Sequence, residues 1–102
     1  MVRNKQALVE MQKLDDSEIE SRLEDLEGWE RSGDAIRKGF ERNDFVGSVD
    51  FARAIVAPAE ELGHHPDLAI SWDMVEVTIT THSEGGLTVN DFELAARIDG
   101  LA

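Results

Sequence analysis

The stretch from residue 68 to residue 81, LAISWDMVEVTITT, decides the fold, because its apolar residues fall at every second position. One face of the first half carries Leu68, Ile70 and Trp72, and one face of the second half carries Val75, Val77 and Ile79. Side chains alternate between two faces along a strand, so this spacing predicts strands over 68–72 and 74–81, each with one apolar face. The β-branched residues of the second segment favour the same conformation.

A helix is predicted upstream of these strands, from an N-cap at Asp15 to a C-cap at Gly28. Glu18 follows Asp15 by three residues, which resembles a capping box, and the apolar residues on either side of this pair suit a hydrophobic staple. Residues 1–13 carry no clear start or stop signal. We therefore interpret residues 1–13 as an N-terminal extension and residues 14–102 as a single domain, which the length of 102 residues also fits.

A β-hairpin and a long helix are predicted in the middle of the chain. Gly33 and Asp34 suit the two-residue turn of a hairpin formed by the residues on either side. The apolar residues between 45 and 62 then keep one helix face. Pro58 interrupts this helix because it has no N–H to donate, and we expect a kink there instead of an end.

The last helix opens with Thr88 as N-cap and Asp91 at its third position, close to a second capping box. The predicted order is therefore helix, two strands, helix, two strands, helix. This order predicts an α+β fold in which an antiparallel sheet packs under helices.

Charge and composition exclude several classes of function. Ten Lys+Arg oppose twenty-two Asp+Glu, which gives a formal net charge of −12. Nucleic acids and anionic membrane surfaces both require a basic face, so we expect neither as a direct partner. The chain has no cysteine, which excludes disulfides and thiolate chemistry. No apolar run is long enough to span a membrane, and we expect a cytoplasmic protein.

Three histidines fall near the ends of predicted elements: His64, His65 and His82. Glu60 precedes His64 by four residues, so a helix that reaches that far would point both side chains the same way. Asp91 lies in the first turn of the last helix. Histidine is the side chain best suited to take up and release protons near neutral pH, so this set favours acid–base chemistry.

Other interpretations of these residues remain open at this point. Asp91 could serve only the capping box, Glu60 could be a solvated helix charge, and Trp72 could pack in the core or the hairpin. The histidines and carboxylates could also form an open zinc site with three protein ligands. However, the adjacent His64 and His65 cannot easily chelate one ion, and Glu60 with His64 lacks the paired histidines of the H-E-x-x-H motif. We therefore expect no metal.

The spaced set of residues resembles the pterin-4a-carbinolamine dehydratase family. The matching residues are Glu60, His64, His65, Pro66, Trp72, His82 and Asp91. The family pattern begins with an acidic residue, followed after three residues by His-His-Pro. An aromatic residue stands about six positions after the proline, a histidine ten positions after the aromatic residue, and an aspartate nine positions after that histidine. This chain has a matching residue at every one of these positions. Leu68 departs from the animal members, which carry tryptophan there.

This resemblance implies a dehydratase that acts in tetrahydrobiopterin recycling. Its substrate would be 4a-hydroxytetrahydrobiopterin or a related pterin, which loses water to give the quinonoid dihydropterin without a metal or an organic cofactor. His64 and His82 are implied as the proton-transfer pair, and His65 as the catalytic residue that binds and orients the pterin. The residues implied to bind the substrate or to orient the imidazoles are Glu60, Pro66, Trp72 and Asp91.

The resemblance also implies a fold and a second class of function. The family fold is a four-stranded antiparallel sheet with helices on one face, and its members associate as homodimers or homotetramers. Some members act as a transcription-factor dimerisation cofactor or as an assembly factor, so the alternative is an interaction protein without relevant catalysis. The complete histidine set favours the enzyme, because a pure binding protein has no need for three imidazoles and two carboxylates together.

Overall fold

A computed structural model describes residues 12–102 of the protein. In chain order its elements are α1 (Asp16–Glu24), β1 (Glu30–Ser32), β2 (Ala35–Glu41), α2 (Phe45–Ala54), α3 (Val56–Leu62), β3 (Asp67–Ile70), β4 (Met74–Ile79), a short 3-10 helix (His82–Glu84) and α4 (Val89–Asp99). Since α2 and α3 are the two halves of the predicted long helix, the predicted α+β order is confirmed. The predicted extension over residues 1–13 lies almost entirely outside the described residues, so that domain boundary stays a prediction.

The four strands form one antiparallel sheet in the order β1-β2-β4-β3. Its two central strands present a buried apolar face, made of Ile36 and Phe40 on β2 and of Val75, Val77 and Ile79 on β4. The apolar residues of all four helices pack into the same core as these strands. The predicted four-stranded sheet with helices on one face is therefore confirmed.

The long helix breaks at Ile55, three residues before Pro58. Proline has no N–H, so Pro58 cannot donate a hydrogen bond to the carbonyl of Ala54. Helix α2 ends at Ala54. Pro58 is the third residue of α3, where the missing N–H has no partner inside the helix. The expected kink is thus a junction between two helices. Gly63, in the left-handed conformation at φ 61°, ends α3 and turns the chain away from the helix axis.

Three elements are shorter than the sequence predicts, among them β4, which ends at Ile79 instead of at residue 81. Helix α1 ends at Glu24, and Gly28, with φ 86°, belongs to the turn that follows it. Strand β3 ends at Ile70, so Trp72 lies in the turn before β4. Trp72 therefore does not share a strand face with Leu68. None of the helices within residues 12–102 is long and apolar enough to cross a lipid bilayer.

Candidate active site

The centre of the site is a contact between an imidazole and a buried carboxylate. His64 Nε2 lies 2.5 Å from Asp91 Oδ1, and Asp91 is fully buried while the His64 side chain is 12% exposed. The turn at Gly63 carries His64 out of α3, and Asp91 lies in the first turn of α4, where the helix dipole favours a negative charge. A carboxylate in this position fixes the orientation and the tautomer of the imidazole.

Asp91 also closes the capping box of α4, as predicted. Its Oδ2 accepts hydrogen bonds from the Thr88 backbone N–H at 2.7 Å and from the Thr81 hydroxyl at 2.7 Å, while its own N–H donates to the Thr88 side chain. One oxygen of the carboxylate therefore serves the helix and the other serves His64. Asp91 can therefore cap the helix and contact His64 at the same time, and its role toward a substrate stays a prediction.

Thr81 belongs to this site, although it is not among the predicted site residues. Its hydroxyl lies 2.9 Å from the Thr88 hydroxyl and 3.5 Å from His64 Nε2. Thr81 follows Ile79 by two residues and so continues the buried face of β4. The sequence does contain a signal for Thr81: it is a polar residue at a position where the alternation along β4 predicts an apolar one.

The hydrogen bonds of His64 leave one ring nitrogen available. Those that its ring makes with residues 12–102 both involve Nε2. An ionised Asp91 accepts only, so Nε2 carries the proton that it donates. In the neutral imidazole Nδ1 is then the atom with a lone pair for an incoming proton.

His65 pairs with Glu60, which corrects the expectation that Glu60 faces His64. Helix α3 ends at Leu62, so the i to i+4 geometry does not extend to residue 64. His65 Nε2 instead lies 2.5 Å from Glu60 Oε2, with both side chains 65% exposed. These two residues line a groove of about 150 Å³ whose other walls are apolar: Ala52, Ile55, Val56, Ala59, Pro66 and Leu68.

His82 lines a different opening. It begins the 3-10 helix, is exposed, and borders a cavity of about 260 Å³ together with Asp34, Ala35, Thr80, Gly85 and Gly86. His82 directly follows Thr81, whose hydroxyl contacts Asp91. The cluster of predicted residues therefore has His65 and Pro66 on one groove and His82 on another.

Within one chain, Trp72 lies far from the other predicted site residues. It lies in the turn between β3 and β4, and its carbonyl accepts a hydrogen bond from Ser48 Oγ at 3.2 Å. His65 and Thr81 lie at the other end of these two strands. The Trp72 side chain is 66% exposed. Its predicted role in substrate binding stays a prediction.

The fold and the site define a two-layer α+β protein with a buried imidazole–carboxylate pair at one end of its sheet, an arrangement suited to proton transfer. No group of three or more His, Asp or Glu side chains within residues 12–102 is placed to hold a metal ion.

Comparison with known proteins identifies the family. The family model described as pterin 4 alpha carbinolamine dehydratase matches residues 12–101, so the chain belongs to this family. A relative from Thermosynechococcus vestitus is 46% identical over 91 residues, which cover 89% of this chain and 96% of the relative. A relative from Sulfolobus acidocaldarius is 45% identical over 87 residues, which cover 85% and 96%. The names of both assign them provisionally to pterin-4-alpha-carbinolamine dehydratase.

Two solved structures are similar to the fold. The crystal structure of a transcriptional coactivator/pterin dehydratase from Brucella melitensis superposes with a TM-score of 0.84 at 34% identity, and the match covers 88% of this chain and 98% of that one. A pterin dehydratase-like protein described as a RuBisCO assembly factor in the alpha-carboxysome has a TM-score of 0.59 at 25% identity, with 72% and 86% covered. Relatives with the same fold thus carry names from both an enzyme class and an interaction class.

Proposed function

We propose that this protein is a cytoplasmic dehydratase that removes water from a 4a-hydroxytetrahydropterin to give the quinonoid dihydropterin. The observation that carries this proposal is the contact of His64 with the buried Asp91, in a chain of the pterin 4 alpha carbinolamine dehydratase family. The pair presents one imidazole with a defined tautomer. Dehydration of a carbinolamine needs such a group and needs no redox step.

The reaction divides between two histidines. His64 accepts the proton from N5 of the pterin at Nδ1, while Nε2 stays hydrogen-bonded to Asp91. His82, which is exposed, donates a proton to the 4a-hydroxyl as the bond between this oxygen and C4a breaks. Water leaves and a double bond forms between C4a and N5. The charge of Asp91 stabilises the imidazolium that His64 becomes.

His65 and Glu60 have a binding role in this proposal. They stand at the polar side of a groove whose apolar walls include Pro66, which suits a flat heterocycle with polar edges. The Glu60 carboxylate holds His65 through Nε2, so this imidazole is oriented toward the substrate. Both side chains are mostly exposed, which fits contact with a substrate that enters from solvent.

A kinetic assay tests the proposed activity. The carbinolamine is generated in place from a tetrahydropterin, and formation of the quinonoid dihydropterin is followed by absorbance with and without the protein. We expect a rate above that of spontaneous dehydration, proportional to protein concentration and unchanged by a chelator. A rate equal to the spontaneous one would contradict the enzyme and favour the alternative, an interaction protein of the same fold.

We also propose that the chain forms a homodimer through β3. This strand is at an edge of the sheet, all four of its residues are exposed, and Leu68 and Ile70 pair with Val77 and Val75 on the apolar face. An apolar edge strand of this kind offers open backbone groups to a second strand. If two copies of β3 pair antiparallel over residues 67–70, position 72 of one copy faces position 65 of the other, which would bring Trp72 toward the groove of a second protomer.

Substitution at the β3 edge tests the dimer. Ile70→Lys places a charge on the apolar face, so we expect it to reduce the mass in solution from twice 11.3 kDa to 11.3 kDa. Ala69→Lys adds the same charge on the opposite face of the same strand and is the matched control. Light scattering after size exclusion gives both masses. A native protein of 11.3 kDa, or an Ile70→Lys variant of unchanged mass, would contradict this interface.

A further inference from the structure

We propose that Thr81 is a positioning residue that holds Asp91 and thereby fixes the orientation of the His64 imidazole. The proposal rests on the proposed function, in which His64 accepts a proton at Nδ1. Thr81 touches Asp91 Oδ2 at 2.7 Å and the hydroxyl of Thr88 at 2.9 Å, and it lies 3.5 Å from His64 Nε2. Its hydroxyl therefore contacts all three of the other polar side chains at this site, which are Asp91, Thr88 and His64.

Proton counting gives these contacts one direction. The Thr81 hydroxyl has a single proton, which it donates in a hydrogen bond to the charged Oδ2 of Asp91. The contact between the two threonines must then be a donation from Thr88 to Thr81. Thr88 Oγ1 in turn accepts from the backbone N–H of Asp91. The result is a closed ring from the Asp91 amide through both hydroxyls back to the Asp91 carboxylate, and such rings strengthen each of their hydrogen bonds.

The backbone fixes Thr81 in this ring. Its N–H and C=O both pair with Gly86 at 3.3 Å, which continues the sheet beyond the end of β4. The β-branched side chain has restricted rotation about χ1, and Thr88, on the other side, is fully buried. The hydroxyl therefore stays on Oδ2, and Oδ1 is left facing the imidazole.

Removal of this hydroxyl should loosen His64 and leave the fold in place. Thr81→Val keeps the shape and the strand propensity of the side chain, and Asp91 Oδ2 keeps the Thr88 N–H as a donor. With one of its two short anchors gone, the carboxylate can rotate, and the imidazole that donates to it from Nε2 loses its fixed orientation. Nδ1 then points at N5 of the pterin for only part of the time.

The test compares Thr81→Val with Thr81→Ser and with Thr78→Val, which makes the same substitution on the opposite face of β4. Nitrogen-15 and proton spectra report the hydrogen bond that His64 donates from Nε2, and carbinolamine kinetics report kcat and KM. We expect Thr81→Val to keep the proton on Nε2 but to shift the Nε2–H signal upfield as this hydrogen bond lengthens. We expect kcat to fall about ten- to a hundredfold with little change in KM, the range found when a group that orients a metal-bound imidazole is removed. Thr81→Ser should restore both.

The outcomes separate this proposal from the proposed function. If the folded Thr81→Val variant keeps the Nε2–H signal of the native protein, or matches Thr78→Val in both readouts, Thr81 does not position His64. A changed Nε2–H signal in a protein that shows no dehydratase activity would support the positioning role and reject only the reaction. Parallel losses in Thr81→Ser and Thr81→Val would overturn the role of the hydroxyl.

Discussion

Replacement of His64 by alanine is expected to lower kcat by about a hundred- to ten-thousandfold, the usual contribution of a positioned proton-transfer group. His64 is the imidazole whose tautomer is set by a buried carboxylate, at 2.5 Å from Nε2 to Asp91 Oδ1. No other group replaces its Nδ1 in the proposed reaction. Rapid mixing of the carbinolamine with native and variant protein gives kcat and KM for the comparison.

The controls for this experiment follow from burial. His64→Ala leaves Asp91 Oδ1 without its donor, which destabilises the fold by about 1–3 kcal/mol. His64→Gln offers an amide donor to the same oxygen and separates loss of the proton acceptor from loss of stability. His65→Ala, at an exposed position, should raise KM more than it lowers kcat. A folded His64→Gln variant with the kcat of the native protein would contradict the role of His64.

Much of the fold could be predicted because its determinants are local. The alternation over β4, the turn at Gly33 and Asp34, and the capping box of Thr88 and Asp91 each involve residues close in sequence. The break in the long helix follows from the missing N–H of Pro58. The carbonyl that loses its donor is that of Ala54, four residues earlier, which is the last residue of α2, so the junction comes directly after it at Ile55.

The partners inside the site could not be predicted in the same way, because they depend on where elements end. The left-handed turn at Gly63 ends α3 before His64, so Glu60 meets His65 instead. The contact of His64 with Asp91 joins residues 27 positions apart, which only the packing of α3 against α4 brings together. The resemblance placed both residues in one site, but it did not supply the pairing.

The charge of Asp91 can be separated from its role as a cap, because its two oxygens have different donors. In Asp91→Asn, one of these positions becomes an NH₂ group. The backbone N–H of Thr88, 2.7 Å from Oδ2, cannot reverse its direction, so the amide oxygen must face it. The NH₂ group then faces His64 Nε2, which has to become an acceptor. The proton of the neutral imidazole moves to Nδ1, the atom that should accept the proton of the substrate.

Asp91→Asn is therefore expected to lower kcat by about a thousand- to ten-thousandfold, as when the aspartate that sets the tautomer of a catalytic histidine is changed to asparagine. The capping hydrogen bond survives, so the loss of stability should stay within about 1–2 kcal/mol. Asp44→Asn, at the N-cap of α2 where Oδ1 accepts from Gly47 N at 2.7 Å, is the matched control and should keep kcat. Nitrogen-15 spectra of His64 and thermal melts accompany the kinetics. An Asp91→Asn variant that melts like Asp44→Asn and retains native kcat would show that the carboxylate serves the helix alone.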